Sequence, residues 1–366
     1  MNNIKTINAL GISSSTSFEG VGVAMIKTDG VDVFGFGPVY VVPYDDDVRE
    51  MIEKVHQLKP DSPENAVNIR KTEIAFTEFC AGLVKEFLAD YQEKIDIIGF
   101  AGHTIAHDPC NHYTHQIGDG KMLAELTGIK TVSKFRRADI MAGGQGAPFT
   151  PIYYGALTAK MRKPMAVVDI GNTSDVVWFG QNGEMMAFVT GPGNPVIDNW
   201  VLKKGAMHMD YNGKLAITGK VNQQILDTLM RHKYLAKPPP KACDRSFFNE
   251  KMEHLNGLSL EDGAATATAY VAESIVYSMN SYLPEPPLDV IISGGGSKNP
   301  TLVRFIRQRL PGLDVKTAQE IGWSLGGIDA QAAAFWAVRR LYFLPISFPF
   351  TTGVPEPMIG GELFEI

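Results

Sequence analysis

The feature that most constrains the fold is a pattern of three short apolar strands that occurs twice along the chain. The first occurrence covers KTINALGIS, VGVAMIKT and VDVFGFGPVYVVPY, with a hairpin signal at Asp29-Gly30. The second covers PMAVVDIG, SDVVWFG and EMMAFVTG. After each occurrence, helical patterns alternate with further apolar strands. The sequence therefore predicts two α/β domains of similar layout.

An antiparallel meander that leads into alternating helices and strands, used twice, is typical of the actin, sugar kinase and Hsp70 class. A simple doubly wound sheet would not begin again with antiparallel strands. We therefore expect a two-domain α/β ATPase fold of this class, with a nucleotide cleft between the domains. At 366 residues the chain exceeds the usual size of one core. The predicted boundary divides it into actin-like ATPase domains at residues 1–163 and 164–366.

Composition narrows the class of partner. With 45% hydrophobic residues, 20% charged residues and a net charge of −6, the chain offers no electrostatic reason to bind nucleic acid or an anionic membrane. Cys80, Cys110 and Cys243 are widely separated, so no disulfide framework is indicated. We find neither a signal-peptide pattern nor an apolar run long enough to span a bilayer. The sequence therefore predicts a soluble cytoplasmic protein.

Glycine-bearing turns follow three buried strands, in GISSSTSFEG, VVDIGNTSD and IISGGGSKN, and TGPGNPVIDNW adds a fourth. Such turns can bring backbone N–H groups close to phosphate oxygens. Each turn alone also fits a tight hairpin or a helix cap, with Asn194 as the cap in the fourth. Together they predict two phosphate clamps and an adenosine contact, with Ser174 as a further hydroxyl donor. The candidate nucleotide-binding residues are Ser14, Ser15, Thr16, Ser17, Gly171, Asn172, Thr173, Gly191, Gly193, Asn194, Gly294, Gly295, Gly296 and Asn299.

The segment KFRRADIMAGGQGAPFTP is the best candidate for catalysis. Asp139 lies beside Arg136 and Arg137, just before a glycine-rich turn. A carboxylate in a loop that faces a cleft can act as a general base and take a proton from an attacking water or hydroxyl group. The alternative is a salt-bridged surface loop. The run GGQGAP favours the catalytic interpretation, because it is unusual for a solvent-exposed loop.

The segment GHTIAHDPCNHYTH concentrates histidines within thirteen residues. The spacing matches no compact zinc pattern, and Pro109 and Asn111 indicate a hairpin. We therefore expect the wall or lid of a site rather than a metal centre. The residues concerned are His103, His107, His112, His115 and Cys110.

In these segments the chain resembles the 1,6-anhydro-N-acetylmuramic acid kinases and the related levoglucosan kinase, as a divergent member. The resemblance runs nearly end to end and in order. The matching blocks are SSSTSFEG, GHTIAHDP, QIGDGKMLAELTGIKTVSKFRRADIMAGGQGAPFTP, TGPGN, KPPPKACDRSFFN, SGGGSKNPTL and FPFTTGVPEP. The block around Asp139 is highly specific.

The resemblance implies an enzyme that uses ATP and Mg²⁺ on a small 1,6-anhydrosugar. In such enzymes an aspartate at the position of Asp139 activates water to attack C1, and the freed O6 takes the γ-phosphoryl group. It implies sugar contacts from Thr104, Arg136 and Gln331, and a metal contact from Glu19. It also implies a cytoplasmic homodimer that recycles cell-wall sugar.

The chain departs from the family at three positions, and two of them, Glu19 and Gln331, fall where the resemblance implies magnesium-site carboxylates. Ser15 replaces a glycine of the phosphate loop, Glu19 replaces an aspartate, and Gln331 replaces a glutamate. Because Mg²⁺ requires hard anionic oxygens in tight geometry, the metal site could be weakened, or Asp169 or Asp175 could compensate. Two alternatives therefore remain: a protein that binds sugar or nucleotide without turnover, and a kinase for a different sugar.

Overall fold

A computed structural model describes residues 5–14, 20–243, 245–248, 250–324 and 326–366. The chain divides into two compact units. Unit 1 comprises Met1–Ala159 and Gly326–Ile366, and unit 2 comprises Lys160–Leu325. Unit 1 is therefore built from both ends of the chain.

The strands and helices of the described residues follow in chain order. The strands are β1 (Ile7–Ser14), β2 (Val21–Thr28), β3 (Val33–Val42), β4 (Ile97–Phe100), β5 (His103–Asp108), β6 (Tyr113–Ile117), β7 (Thr131–Ser133), β8 (Met165–Ile170), β9 (Thr173–Phe179), β10 (Met185–Pro192), β11 (Asp289–Ser293), β12 (Asp314–Thr317) and β13 (Glu362–Phe364). The helices are α1 (Asp46–Val55), α2 (Pro63–Asp90), α3 (Gly120–Thr127), α4 (Arg137–Met141), α5 (Thr150–Leu157), α6 (Pro195–Gly205), α7 (Gln223–Met230), α8 (Leu260–Tyr282), α9 (Pro300–Arg309) and α10 (Ile328–Leu341). No helix in these ranges is both long and apolar enough to cross a lipid bilayer.

Unit 1 contains a mixed sheet in the order β13–β7–β4–β1–β2–β3. The first three strands form the predicted antiparallel meander, and β4 and β7 continue the sheet in parallel with β1. β5 and β6 form a separate antiparallel hairpin. The helix α2 buries Phe76, Val84 and Phe87 in the core of this unit.

The helix α10 packs directly on the backbone of this sheet. Gly11 of β1 and Gly99 of β4 are paired neighbours in the parallel register. A Cβ at position 11 would overlap the carbonyl oxygen of Ala330, and one at position 99 would overlap that of Ala333. The alanine-rich helix therefore fits only because the sheet presents bare glycine backbone there.

Because α10 packs on the first sheet, the two units differ from the two domains that the sequence predicts. The sequence predicts residues 164–366 as one domain, whereas Gly326–Ile366 belong to unit 1. The reason is that α10 covers β1, β2 and β4. At the other end, the division after Ala159 lies close to the predicted boundary at residue 163.

Unit 2 repeats the layout of unit 1. Its sheet runs in the order β10–β9–β8–β11–β12, in which β8 to β10 form an antiparallel meander and β11 and β12 run parallel to β8. The buried helix α8 packs against β10, α6 and α9. The predicted α/β class and the repeated meander are therefore confirmed.

Candidate active site

Asp139 is oriented by hydrogen bonds to both of its carboxylate oxygens. It lies in α4 with 2% of its surface exposed. The backbone N–H of Gly146 donates to Oδ1 at 2.6 Å, and the hydroxyl of Thr352 donates to Oδ2 at 2.5 Å. A carboxylate oxygen can accept two hydrogen bonds, so these contacts leave acceptor positions for a proton or a water molecule. The carboxylate is thus fixed in direction but not saturated, as a general base requires.

The glycine-rich turn after α4 wraps around this carboxylate. The N–H of Gly144 donates to the backbone carbonyl of Asp139 at 2.9 Å, and a Cβ at position 144 would overlap Asp139 Oδ1. Gly146 has a φ of +67°, a left-handed conformation that favours glycine. A salt-bridged surface loop is excluded, because Asp139 is buried and Arg137 pairs with Glu362 at 3.0 Å.

Arg136 precedes α4 and lies within electrostatic range of two carboxylates. Burial lowers the pKa of its guanidinium, and the charges of Asp329 and Asp139 oppose that shift. Within the described ranges this half-buried side chain has neither a hydrogen bond nor an ion pair. Its guanidinium N–H groups donate no hydrogen bond to the described residues, so they are available to an anionic group of a ligand.

The other two predicted sugar contacts, Thr104 and Gln331, already have partners in unit 1. Gln331 is buried in α10, where its Oε1 accepts a hydrogen bond from the hydroxyl of Tyr153 at 2.9 Å. The hydroxyl of Thr104 on β5 accepts one from Nε2 of Gln116 at 3.3 Å. Gln331 therefore connects α10 to α5, while Thr104 keeps its own proton to donate.

Ser14 is the last residue of β1 and belongs to the predicted phosphate loop. Its Oγ contacts the hydroxyl of Tyr44 and lies 2.6 Å from Nδ1 of His103. Tyr44 is 4% exposed and His103 is fully buried. The remaining candidates of this loop, Ser15, Thr16, Ser17 and Glu19, lie outside the described residues.

In unit 2 the predicted glycine turns come together around Ile170, at the end of β8. The N–H of Asn194 donates to the carbonyl of Gly171 at 2.9 Å, which joins the turn after β8 to the turn after β10. The side chain of Asn194 does not cap α6, and its Nδ2 instead donates to the carbonyl of Ile170 at 3.4 Å. A Cβ at Gly296, after β11, would lie 2.7 Å from the Cβ of Ile170. Three separate turns therefore form one surface.

Gly171 faces open space on this surface. A Cβ at position 171 would have no atom of the described residues within 4 Å, whereas one at Gly193 would overlap the carbonyl of Gly171. Glycine at 193 is therefore required by packing, and glycine at 171 is not. The missing side chain at 171 leaves room for a ligand group to approach the backbone.

Several polar side chains proposed for nucleotide contacts are engaged inside unit 2. Ser174 is buried and its hydroxyl donates to the carbonyl of Pro192 at 2.7 Å, so its proposed role as a phosphate donor is wrong. The hydroxyl of Thr173 donates to Oδ1 of Asp175 at 3.2 Å. Asn299 caps α9, where its Oδ1 accepts from two backbone N–H groups at 3.1 Å each. Backbone groups, rather than these side chains, are left to contact phosphate.

Asp169 and Asp175 are directly paired across the β8–β9 ladder. Such cross-strand neighbours have Cβ atoms roughly 4.5 to 5.5 Å apart. A magnesium ion that is bound mainly through nucleotide phosphates needs only one or two protein carboxylates. The pair therefore fits the carboxylate part of such a site.

The histidine-rich segment forms the predicted β5–β6 hairpin and one wall of a cavity of about 320 Å³. α4 contributes Arg137, Ile140 and Met141 to the same cavity. Across the described ranges, no group of three or more histidine, cysteine, aspartate or glutamate side chains is arranged to hold a metal ion. His112 and His115 line this cavity, as the interpretation as a wall predicts, whereas His103, His107 and Cys110 do not.

Sequence reasoning missed several residues of this site. Thr352 lies in FPFTTGVPEP, where the sequence indicates only the family resemblance, and Asp329 lies two residues before Gln331. The contacts of Ser14 with Tyr44 and His103 carry no local signal, since the three residues lie on separate segments.

Comparison with known families gives a match over almost the whole chain. The family model described as anhydro-N-acetylmuramic acid kinase matches residues 7–365. The anhydro-N-acetylmuramic acid kinase of Paramagnetospirillum magneticum is 40% identical over 358 residues, which cover 97% of this chain and 98% of that protein. The protein of the same name from Rhizorhabdus wittichii is 38% identical over 359 residues, which cover 96% of this chain and 97% of that protein.

Among solved structures, the chain is similar to component A of the Acidaminococcus fermentans (R)-2-hydroxyglutaryl-CoA dehydratase. The TM-score is 0.45 at 13% identity, with 92% of this chain and 99% of that chain covered. A ROK family glucokinase from Streptomyces griseus, in complex with glucose and AMPPNP, matches with a TM-score of 0.38 at 10% identity. The match covers 90% of this chain and 99% of that chain. Both identities are far below the level at which a shared activity follows.

Proposed function

Because the chain belongs to the anhydro-N-acetylmuramic acid kinase family, we propose that it phosphorylates O6 of 1,6-anhydro-N-acetylmuramic acid, or of a similar anhydrosugar, while water opens the anhydro ring. It is accordingly a phosphotransferase with an alcohol acceptor. The observation that carries the proposal is the buried carboxylate of Asp139, oriented by Gly146 and Thr352.

In the proposed reaction Asp139 accepts a proton from a water molecule. The water oxygen forms a bond to C1 of the sugar as the bond between C1 and O6 breaks. O6 then forms a bond to the γ-phosphorus of ATP, and the bond from that phosphorus to the bridging oxygen of ADP breaks. Two fixed hydrogen bonds keep the carboxylate directed at the water, which lowers the entropic part of the barrier.

Arg136 is proposed to bind an anionic group of the sugar. Its guanidinium lies within electrostatic range of Asp139 and Asp329 but makes no hydrogen bond or ion pair among the described residues. A muramic acid carries a carboxylate on its lactyl substituent, which can pair with a guanidinium in a bidentate arrangement. Levoglucosan has no such group, so this contact would favour the amino sugar.

The nucleotide is proposed to bind the surface formed by the turns of unit 2. Gly171 leaves space for phosphate, and the turns that contain Gly193 and Gly295 surround it. Magnesium, which neutralises phosphate charge when it is bound, would be held by Asp169 and Asp175 together with the ATP phosphates, and Glu19 stays a candidate.

The direct test is to incubate the purified protein with ATP and Mg²⁺ and either 1,6-anhydro-N-acetylmuramic acid or levoglucosan, and to measure product mass. Gain of both one water and one phosphoryl group supports the proposal. Gain of a phosphoryl group alone on another sugar supports a different kinase. Binding of sugar or nucleotide without turnover supports a binding protein, the alternative that the buried and paired Gln331 favours.

We predict that Asp139→Asn lowers kcat by roughly 10²- to 10⁴-fold, the usual contribution of a general base. The amide keeps the size of the carboxylate but accepts a proton poorly. Affinity for ATP, measured by isothermal titration calorimetry, should stay within about twofold of wild type. A large loss of ATP affinity would instead place Asp139 in the nucleotide site.

We also propose that the protein acts as a homodimer in the cytoplasm and recycles cell-wall sugar, as the family resemblance implies. Light scattering after size-exclusion chromatography measures the oligomeric state.

A further inference from the structure

The β5–β6 hairpin contacts the segment that carries Asp139 at two separate places, and the proposed mechanism uses neither contact. At the tip of the hairpin, Nδ1 of His112 lies 3.1 Å from the backbone carbonyl oxygen of Ile140, the residue that follows Asp139 in α4. Further back on β5, the ring of His107 lies so close to Gly146 that a Cβ added there would be 3.0 Å from its Cε1. The hairpin therefore touches both the short helix and the glycine-rich turn.

The direction of the hydrogen bond at the tip follows from the nature of its acceptor. A backbone carbonyl can only accept, so Nδ1 of His112 carries the proton and donates it to Ile140. The same carbonyl also accepts from the N–H of Gly143, at the end of α4. The residue His112 is itself exposed and has a φ of +51°. The imidazole therefore ties an exposed hairpin tip to the end of the helix that holds the candidate base.

Gly146 is the donor that orients Asp139, and side chains enclose it on two sides. Its N–H donates to Oδ1 of Asp139 at 2.6 Å. A Cβ at this buried position would lie 2.7 Å from Cδ1 of Ile140 and 3.0 Å from Cε1 of His107, so both side chains pack against the glycine backbone. The ring of His107 therefore restricts the position of Gly146, and with it the hydrogen bond to the carboxylate.

A series of polar contacts runs through the hairpin from His107 to Thr104, a predicted sugar contact. Nδ1 of His107 lies 3.1 Å from Oγ1 of Thr114. Nε2 of Gln116 lies 2.6 Å from that same oxygen and 3.3 Å from Oγ1 of Thr104. All four side chains belong to two strands that are paired with each other. The series therefore joins the predicted sugar contact to the ring that packs on Gly146.

We propose that the β5–β6 hairpin positions the candidate base, and that His112 and His107 are the positioning residues. His112 holds the main chain beside Asp139, and His107 holds Gly146 at the place from which it donates to the carboxylate. Since a general base works only when it is directed at the attacking water, the loss of either contact lowers kcat. Because Thr104 lies on the same hairpin, sugar binding and orientation of the base are coupled. This coupling rests on the proposed function, whereas the support of Gly146 does not.

Two variants at the tip separate the hydrogen bond from the backbone conformation. Asparagine and glycine both tolerate the positive φ of His112, but only asparagine offers an N–H donor. We expect His112→Gly to lower kcat about fivefold, the usual effect of one hydrogen bond, and His112→Asn to stay within about twofold of wild type. KM for ATP should be unchanged in both. The control Asn111→Ala removes a side chain that donates to Asp108 within the tip, and it should match wild type. Equal kcat in the two His112 variants would overturn the role of the imidazole.

The coupling between the sugar contact and the base can be tested at Thr114, whose hydroxyl lies between Gln116 and His107. Thr114→Val keeps the shape of the side chain but removes the hydroxyl, and Thr114→Ser keeps the hydroxyl. We expect Thr114→Val to lower kcat and to raise KM for the sugar, each by about threefold, and Thr114→Ser to restore both. A change in only one of the two parameters would contradict the coupling.

The support of Gly146 can be measured on the free protein, without any substrate. Amide hydrogen exchange followed by NMR reports how often the N–H of Gly146 leaves the carboxylate. We expect His107→Asn, which lacks the ring, to speed this exchange roughly tenfold, and Asn111→Ala to leave it unchanged. Unchanged exchange at the amide of Leu123, which donates to Asp119 in α3, would show that unit 1 is still folded.

Two results decide between the inference and the proposed function. Exchange at Gly146 that is the same in His107→Asn and in wild type would overturn the positioning role of His107, whatever the activity. If the wild-type protein turns over no sugar, the proposed function fails, and the exchange rate at Gly146 still decides whether His107 holds it.

Discussion

At the scale of single residues, the candidate base depends on a hydroxyl group from the far end of the chain. Thr352 donates to Oδ2 of Asp139 at 2.5 Å, and the N–H of Gln145 donates to the carbonyl of Thr352 at 2.7 Å. The C-terminal segment and the glycine-rich turn therefore hold the carboxylate from two sides. Thr352 acts through Asp139, so it is a positioning residue.

We predict that Thr352→Val lowers kcat by about tenfold, because the loss of one charge-assisted hydrogen bond costs about 1.5 kcal/mol in orientation of the base. Thr352→Ser keeps the hydroxyl and should retain most of the activity. Steady-state kinetics at saturating ATP measures both variants. Equal loss in the two variants would show that the methyl group, and not the hydroxyl, is what matters.

The sequence indicates Asp139 as the candidate base because the signal is local: a carboxylate beside two arginines and before GGQGAP. It did not identify Thr352 as the partner, since a contact across more than 200 residues leaves no mark in local periodicity. At Ser174, by contrast, a local sequence signal led to a wrong prediction. Its place in a glycine turn suggested a phosphate donor, but its side chain points into the unit and bonds to Pro192.

At the scale of elements, α10 is the helix on which unit 1 depends. It lies across β1, β2 and β4, with its backbone against glycines of β1 and β4. Arg339 of this helix is buried and donates to the carbonyl of Gly30 at 2.6 Å, which ties the helix to the β2–β3 turn.

We predict that Gly99→Ala destabilises the protein by about 3 kcal/mol or more, because the new methyl group would overlap the backbone of α10 and force the helix outward. Urea unfolding with a probe in unit 1 measures the change. Gly82→Ala is the matched control: position 82 lies within α2, and a Cβ added there would meet no atom within 4 Å outside the helix's own backbone. That control should be neutral or slightly stabilising.

Both meanders could be predicted from the sequence, since their strands are short, apolar and separated by turn residues. The strands against which α10 packs could not be predicted. Its alanines indicate a helix in close contact with something, but the partner is a pair of glycines far away in the sequence. Periodicity assigns a helix its buried face and leaves the identity of the covering element open.

At the scale of the whole molecule, unit 1 is discontinuous and unit 2 is continuous. Unit 2 has its own core, built on β8 to β12 and α6 to α9. We predict that a chain ending at residue 325 keeps a folded unit 2 but an unfolded unit 1, because the sheet of unit 1 has lost its covering helix. Hydrogen exchange followed by mass spectrometry would show protection only after residue 159. Protection of β1 and β4 in the truncated chain would contradict the assigned role of α10.

Stability should also fall on the acid side of neutrality, through His103. Its folded pKa of about 4 lies below the ordinary value of 6.5, so below pH 6.5 the unfolded chain binds a proton that the folded chain does not. Stability is therefore complete above pH 6.5 and is lost as pH falls towards 4. From pH 8 to pH 5 we expect a loss of about 2 kcal/mol in the free energy of unfolding. His103→Gln should flatten this part of the curve, and an unchanged slope would show that other groups control it.

Because unit 1 is built from both ends of the chain, it also determines which unit can fold first during synthesis. Strands β1 to β7 are synthesised first, with Gly11 and Gly99 not yet covered by α10. About 200 further residues must be added before α10 is made, which takes roughly 10 to 40 s at ordinary translation rates. Unit 2 can complete its fold during that delay. Asp139 and Thr352 can form their hydrogen bond only after Thr352 has been synthesised, so a ribosome that stalls late leaves a chain with a folded unit 2 and an incompletely oriented candidate base.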